Sequence, residues 1–372
     1  MDWVGPRGTR EEELGEVVKL VNYVFRESSN YLPTMQEEFS FLFRPENREN
    51  LRIMLVGRKV VSHLGIFFQE IIIRGTRLKV GSIGAVATHP RHRGKGLATQ
   101  LLKDAIEKLS RDGADLMLVS GDRGLYRRAG CSPVGKMYQF IISSFQLKHF
   151  QRQDVKAFSY SEENLEKLIR IYQQEPVRFH RPRNNFRIYL NVSRLLKERY
   201  SLEKLFFFQE TLLITEGEEP VGYLIFRPLR TEKQIEIIEY AGTRQALPGS
   251  LYHIFQNYPG YNLLFPVPEY DRELLLILKR ENIPFNITAC PPGHTLRIIN
   301  FPQLMGKIQP LMEEWWGENH FAFRWDERTG QFSDVASLTG AIFGVPDCQE
   351  TPFYLRREFF PLPFPNPGLN YV

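Results

Sequence analysis

Apolar positions alternate between two periods along this chain. In ELGEVVKLVNYVF, the residues Leu14, Val17, Val18, Val21, Val24 and Phe25 fall at helical spacing and predict a helix. RIMLVGRKVVSHLGIFFQEIIIRG reads as two strands turned at Gly57-Arg58-Lys59 and running into a third, and KVGSIGAVAT is a further β-rich run. GLATQLLKDAIEKLSRDG predicts a second helix. Its apolar face is Leu97, Leu101, Leu102, Ala105, Ile106 and Leu109, Asp104 and Lys108 form an i,i+4 pair, and Gly113 stops it. DLMLVS is a short strand of the buried type.

The same order then returns. FFFQETLLITEGEEPVGYLIFRP reads as strand, turn, strand; EIIEYAG is β-rich; LPGSLYHIFQNY is helical, as a duplicated fold would produce. From about Phe285 the pattern changes: TLRIINFPQLMGKIQPLMEEWW predicts a strand and a helix beginning near Pro302, and DVASLTGAIFG a helical stretch ended by glycine. These shifts divide the chain at 1–148, 149–284 and 285–372. It closes on FPLPFPNPGLNYV, where Pro361, Pro363, Pro365 and Pro367 favour a stiff extended backbone. Phe360, Phe364, Leu369 and Tyr371 give that rod surfaces to bury, so a packing strap is the simplest reading.

Composition narrows the class. With 372 residues the chain exceeds one ordinary core, and 42 % hydrophobic with 24 % charged residues describe a folded globular protein. No run of about 18 apolar residues exists to span a membrane, and the polar, acidic start from Met1 to Leu14 is unlike a secretory signal. The three cysteines, Cys131, Cys290 and Cys348, are scattered without metal-ligand spacing, which suits a reducing cytosol, so a cytoplasmic location and no bound metal are expected. A net charge of +5 from 48 basic and 43 acidic side chains fits an anionic ligand at one site better than a nucleic-acid track.

The chemistry concentrates in VATHPRHRGKGLATQLL. A β-rich run ends at Thr88, Pro90 forbids its continuation, and a helix opens around Gly96. A helix N-terminus offers unpaired N–H groups and partial positive charge, which together bind phosphate. Gly94 and Gly96 admit close backbone approach, while Arg91, Arg93 and Lys95 add charge. A nucleotide-triphosphate loop fails here, because Lys95 is followed by Gly96 rather than Ser or Thr. A dinucleotide fingerprint fits only in part, since Thr99 stands where its third glycine belongs. Arg91-His92-Arg93-Gly94-Lys95-Gly96 matches a third pattern, Arg/Gln-x-x-Gly-x-Gly/Ala, in full. No comparable cluster follows Gly242 in the second copy.

That third pattern resembles the acetyl-coenzyme A pyrophosphate loop of the GNAT acetyltransferases. The resemblance implies that Val86, Ala87 and Thr88 lie on a splayed strand facing the pantetheine arm. With Arg91, Arg93, Gly94, Lys95, Gly96, Leu97, Ala98 and Thr99 they would hold acetyl-CoA. It also implies that Tyr126, in Leu-Tyr-Arg-Arg-Ala-Gly, protonates the departing thiolate, as a phenol titrating near 10 is able to do. Cys131 lacks a paired base in sequence and reads as core. The whole layout resembles the enhanced intracellular survival (Eis) acetyltransferases: tandem GNAT-like α/β domains with mixed sheets, then a sterol-carrier-protein-like domain. By that resemblance the Val372 carboxylate is the general base, acting directly, through water, or by holding the ammonium group, and the assembly is a hexamer. Gly94 departs from the arginine-richer loops of that group.

The implied reaction is N-acetyl transfer to a primary amine of a small molecule such as an aminoglycoside. Phe25, Glu27 and Tyr31 are acceptor-side candidates. A lipid- or small-molecule-binding protein with a regulatory CoA domain, and a protein-lysine acetyltransferase, are the alternatives.

Overall fold

Two mixed sheets organise the chain, and each builds one face from every second residue of its strands. The computed structural model describes residues 3–150, 154–206, 208–316, 334–346 and 360–371. In chain order the strands are β1 (Trp3–Gly8), β2 (Leu51–Val56), β3 (Lys59–Ile73), β4 (Thr76–Thr88), β5 (Leu116–Val119), β6 (Met137–Ile142) and β7 (Val155–Ser159). They continue as β8 (Val177–Phe179), β9 (Glu210–Glu216), β10 (Glu219–Leu229), β11 (Gln234–Gly242), β12 (Asn262–Pro268), β13 (Phe285–Thr288) and β14 (Thr295–Ile298).

The first sheet runs β1-β2-β3-β4-β5-β14, with β8 beside β3; the second runs β7-β9-β10-β11-β12-β6-β13. Both are antiparallel through four strands and then place one parallel neighbour, β5 beside β4 and β12 beside β11. Each next takes an antiparallel strand from elsewhere in the chain, β14 on β5 and β6 on β12. Sheet membership therefore crosses the sequence divisions at 148 and 284: β6 precedes the first yet lies in the second sheet, and β14 follows the second yet completes the first sheet.

Helix α1 (Leu14–Phe25) buries Val17, Leu20 and Val21 against β3 and β4, and the short α2 (Met35–Glu38) packs beside it. Helix α3 (Leu97–Arg111) presses Leu97, Leu101, Leu102, Ala105 and Leu109 onto Met117 and Val119. The intervening Leu116 and Leu118 face the other way. They meet Leu304, Ile308 and Ile342 of two later helices and Phe360, Leu362 and Phe364 of the tail. Those later helices are numbered after α4 (Gly124–Arg128), α5 (Leu165–Gln173), α6 (Arg183–Arg199), α7 (Leu247–Asn257) and α8 (Arg272–Arg280); they are α9 (Phe301–Trp316) and α10 (Val335–Phe343). Among its described residues, the stretch expected to be sterol-carrier-like thus contributes strands to both sheets and helices to the core of the first.

One sequence expectation is corrected here. Asp104 does not pair with Lys108. The Arg52 guanidinium of β2 grips both Asp104 oxygens at 2.6 and 2.9 Å, and Lys108 turns to Asp112 at 2.8 Å. A planar, bidentate partner from a neighbouring strand outcompetes a flexible ammonium four residues away. Among the described residues, no helix is long and apolar enough to cross a membrane, and no group of three His, Cys, Asp or Glu side chains could hold a metal.

Candidate active site

Strand β4 pairs with β5 only from Val80 to Ile83, where the Ser120 amide donates to the Ile83 carbonyl at 3.2 Å. Past that point β4 keeps only its β3 neighbour, and the register slips by a bulge at Ala85, whose φ is 50°. The wedge between the two strands is thereby opened along Val86, Ala87 and Thr88. Buried His63 of β3 reaches the Ala85 carbonyl with Nδ1 at 2.8 Å, and burial pushes its pKa down to about 4, so it holds the bulge as a neutral ring.

Below the wedge, Pro90–His92 forms a single turn, Gly94 and Gly96 follow at φ 75° and 74°, and α3 begins at Leu97. Nothing lies within 4 Å of where a Cβ would stand at either glycine. No side chain caps the helix, so its first amides and its dipole face an open cradle. Arg93 donates to the Thr88 carbonyl at 3.2 Å, and the Lys95 ammonium lies 5.3 Å from the centre of the Trp3 ring. Open glycines, uncapped amides and neighbouring cations suit a diphosphate, and with it an acyl-coenzyme A.

A cleft of about 600 Å³ joins this cradle to Tyr126. Val86, Thr88, Arg93, Gly94, Lys95, Gly96, Leu97, Ala98 and Thr99 all line it, as does Phe25. Two residues expected there do not: Ala87 turns its side chain into the core under α1, and Arg91 points to solvent. Tyr126 is 5 % exposed on α4, and burial raises its phenol above the usual 10, so it keeps its proton across neutral pH. Cys131 is buried, which pushes its thiol up to about 12 and leaves it inert.

The other acceptor-side candidates stand apart from the cleft. Glu27 is exposed in the turn after α1, and the Tyr31 ring packs at 5.2 Å from Phe206. Their neighbour Arg26 is buried in an ion pair with Glu38, which Thr34 also contacts. Val372 lies outside the described residues. The tail does reach the site as far as Tyr371, whose hydroxyl is in hydrogen-bonding contact with Ser120 at the end of β5.

Sequence reasoning missed the network that brings it there. Asn370 exchanges hydrogen bonds with Gln69 of β3: its Nδ2 donates to Gln69 Oε1 at 2.6 Å and its carbonyl accepts from Gln69 Nε2 at 3.2 Å. Buried Arg181 donates to Asn370 Oδ1 and to both oxygens of Glu239, and Glu239 accepts from Tyr223 and from the Leu369 amide. Asn370, the second asparagine of PNPGLN, was a visible signal, since a polar residue inside an apolar rod needs a partner.

The second sheet lacks such a site for a physical reason. Between β11 and α7, where the cradle would repeat, Arg244 binds Glu175 at 2.6 Å and Asp271 at 2.9 Å, and a Cβ at Gly242 would stand 2.1 Å from the Val221 carbonyl. A larger cleft of about 1680 Å³ adjoins that cluster, but none of the predicted site residues reaches it and its central charges are already paired.

Comparison with known proteins agrees with this geometry. Residues 6–134 match the family model described as an acetyltransferase (GNAT) domain. No curated protein matches the chain in sequence. Among solved structures, a conserved protein from Enterococcus faecalis described as a probable N-acyltransferase aligns with a TM-score of 0.63 and 17 % identity, over 82 % of this chain and 75 % of its own. Eis1 from Mycobacterium abscessus aligns at 0.55 and 14 %, over 81 % and 74 %. N-myristoyltransferase from Saccharomyces cerevisiae, solved with myristoyl-CoA, aligns at 0.50 and 10 %, over 79 % and 82 %. Such low identities establish a shared fold. Residues 6–134 thus carry a GNAT acetyltransferase domain, which makes the chain an acyltransferase.

Proposed function

We propose that the protein transfers an acetyl group from acetyl-CoA to a primary amine of a small molecule by direct attack in a ternary complex. The observation that carries this reading is the single cleft joining the uncapped N-terminus of α3 to the buried phenol of Tyr126. Phosphates held at Gly94–Thr99 leave the thioester end beside Val86, whose bulged strand has free backbone groups to meet the carbonyl oxygen. Tyr126 then supplies a proton to the leaving sulfur. Val372, which follows Tyr371 directly in the chain, is proposed as the carboxylate that meets the ammonium group.

The repeated order of strand directions supports reading the second sheet as a GNAT-like copy without a loop, and the tail's arrival near Tyr126 supports the Eis-type layout. An aminoglycoside is a narrower expectation, and Glu27, its proposed anchor, stands outside the cleft.

The test is release of free thiol from acetyl-CoA across a panel of amines, aminoglycosides included. Tyr126→Phe should lower kcat by about 10²–10⁴-fold, the usual share of acid–base catalysis, with donor affinity unchanged by calorimetry. Undiminished turnover in that variant removes the phenol from the mechanism.

A further inference from the structure

His294 precedes β14, and the placement of that strand decides what its ring can do. Thr295 pairs with Val119, and its hydroxyl donates to the Gly121 carbonyl at 2.9 Å, so the neighbouring imidazole stands at the same end of β5 as Ser120 and Tyr126. Its Nδ1 lies 2.7 Å from the Pro292 carbonyl oxygen. That oxygen can only accept, so the proton sits on Nδ1 and Nε2 presents a lone pair. Nε2 is shielded from solvent and has no hydrogen-bond partner among the described residues. A buried acceptor left without a donor is uncommon, and it calls for something to fill it.

The surroundings say what that is. The ring stands edge-on to Tyr371 at 5.5 Å between centres, and Tyr371 lies close enough to Tyr126 to influence its ionisation. Tyr371 is 45 % exposed, so the ring's neighbour, though not Nε2 itself, meets solvent. The charged groups that act on Tyr371, Arg26 and Arg227, are neutralised by Glu38 and Glu236. Ser120 and Gly121, which follow β5, and the Tyr371 ring carry no charge, and burial moves the ionisation of His294 downward, partly offset by the Pro292 carbonyl. His294 is therefore a neutral base at working pH. An imidazole in water titrates near 6.5, about three units above a terminal carboxylate.

We propose that His294 Nε2 takes the proton the acceptor ammonium must lose before it attacks. The proposal rests on the acyl-transfer reading above. An N–H bond of the ammonium breaks, an Nε2–H bond forms, and the freed lone pair attacks the thioester carbon. As the C–S bond breaks, sulfur takes the Tyr126 proton, and the phenol recovers one from the nitrogen, which has become cationic. The imidazolium later returns its proton to solvent. Ammonium and thioester become amide, thiol and one proton, with no oxidant or further reagent.

The pH profile of thiol release tests this. Wild-type kcat/KM should fall on the acid side with a midpoint below 6.5, because a base is lost as pH drops through its pKa. His294→Gln, whose amide can still donate to Pro292, should lose about 10²-fold or more in kcat together with that acid limb, while donor binding stays within twofold. Added imidazole should restore part of the activity of His294→Ala. A second measurement needs no variant: the imidazole of His294 in the wild-type chain, followed by nitrogen NMR, should titrate at the midpoint of the acid limb. A mismatch, or His294→Gln turning over with the limb intact, overturns the proton-acceptor role and leaves acyl transfer standing. A wild-type protein that binds acetyl-CoA yet releases no thiol with any amine overturns both.

Discussion

Single residues at the loop show how little side chain the cradle tolerates. Gly94 and Gly96 adopt left-handed backbone angles with empty space above them. A β-branched side chain at Gly96 would strain the backbone by about 1–2 kcal/mol and stand where the phosphates belong. Gly96→Val should therefore weaken CoA binding by about tenfold or more, equivalent to about 1.4 kcal/mol, with a smaller effect on melting temperature; calorimetric titration beside thermal unfolding separates the two. Unchanged affinity would move the diphosphate elsewhere. Arg26 and Glu27 make the complementary point. Adjacent in sequence, one is sealed into an ion pair with Glu38 and the other faces water, because the turn that ends α1 sends successive side chains to opposite sides.

At the scale of elements, the tail behaves as a strap with a directed end. Leu362 donates to Ile342 of α10 at 2.8 Å, Asn366 to Ile238 of β11 at 3.1 Å, and Asn370 bridges to Gln69 of β3. Its prolines have no N–H to pair, so the few other polar groups along it determine where it stops. Removing the Asn370 amide leaves Gln69 and Arg181 short of partners, at about 1–3 kcal/mol for a buried group. Asn370→Leu should lower turnover by about tenfold or more, equivalent to about 1.4 kcal/mol on the barrier, by unseating Tyr371, while donor affinity stays within twofold. Equal losses in both would make the tail a general brace. The α3 helix and its loop were legible because every determinant lies within some twenty consecutive residues, whereas Asn370 meets Gln69 across 301 positions, a distance no local pattern reports.

The whole molecule is held together by charges as well as by apolar layers. Arg181, 1 % exposed, and Glu239, 9 % exposed, sit where the second sheet, the tail and the first sheet meet. Burial by itself would raise the Glu239 pKa, but Arg181, the Leu369 amide and Tyr223 bring it below the ordinary carboxylate range. A carboxylate depressed on folding contributes stability above its unfolded value near 4.3 and loses it as pH falls through the folded value. Acid should thus loosen the contact between the sheets. Glu239→Gln should flatten the acid side of a melting-temperature profile and destabilise the protein by about 3–5 kcal/mol at pH 7, because Arg181 is left buried without its counter-ion. Calorimetric scans from pH 3 to 7 would show a parallel rather than flattened curve if the pair is inconsequential.

What the amino-acid order determined alone was local: hairpins from apolar β-rich runs broken at a turn, α3 from its leucine face, and an anion cradle from glycines between a strand and a helix. These follow from forces acting between near neighbours along the chain. Only the tertiary structure decided which sheet would own β6 and β14, that Asp104 would leave Lys108 for Arg52, and that His294 and Tyr371 would stand at one end of β5. An open strand edge pairs with any strand of suitable face, and a buried polar group takes whichever partner the packing brings. Those choices are settled by burial and hydrogen-bond satisfaction over the whole chain.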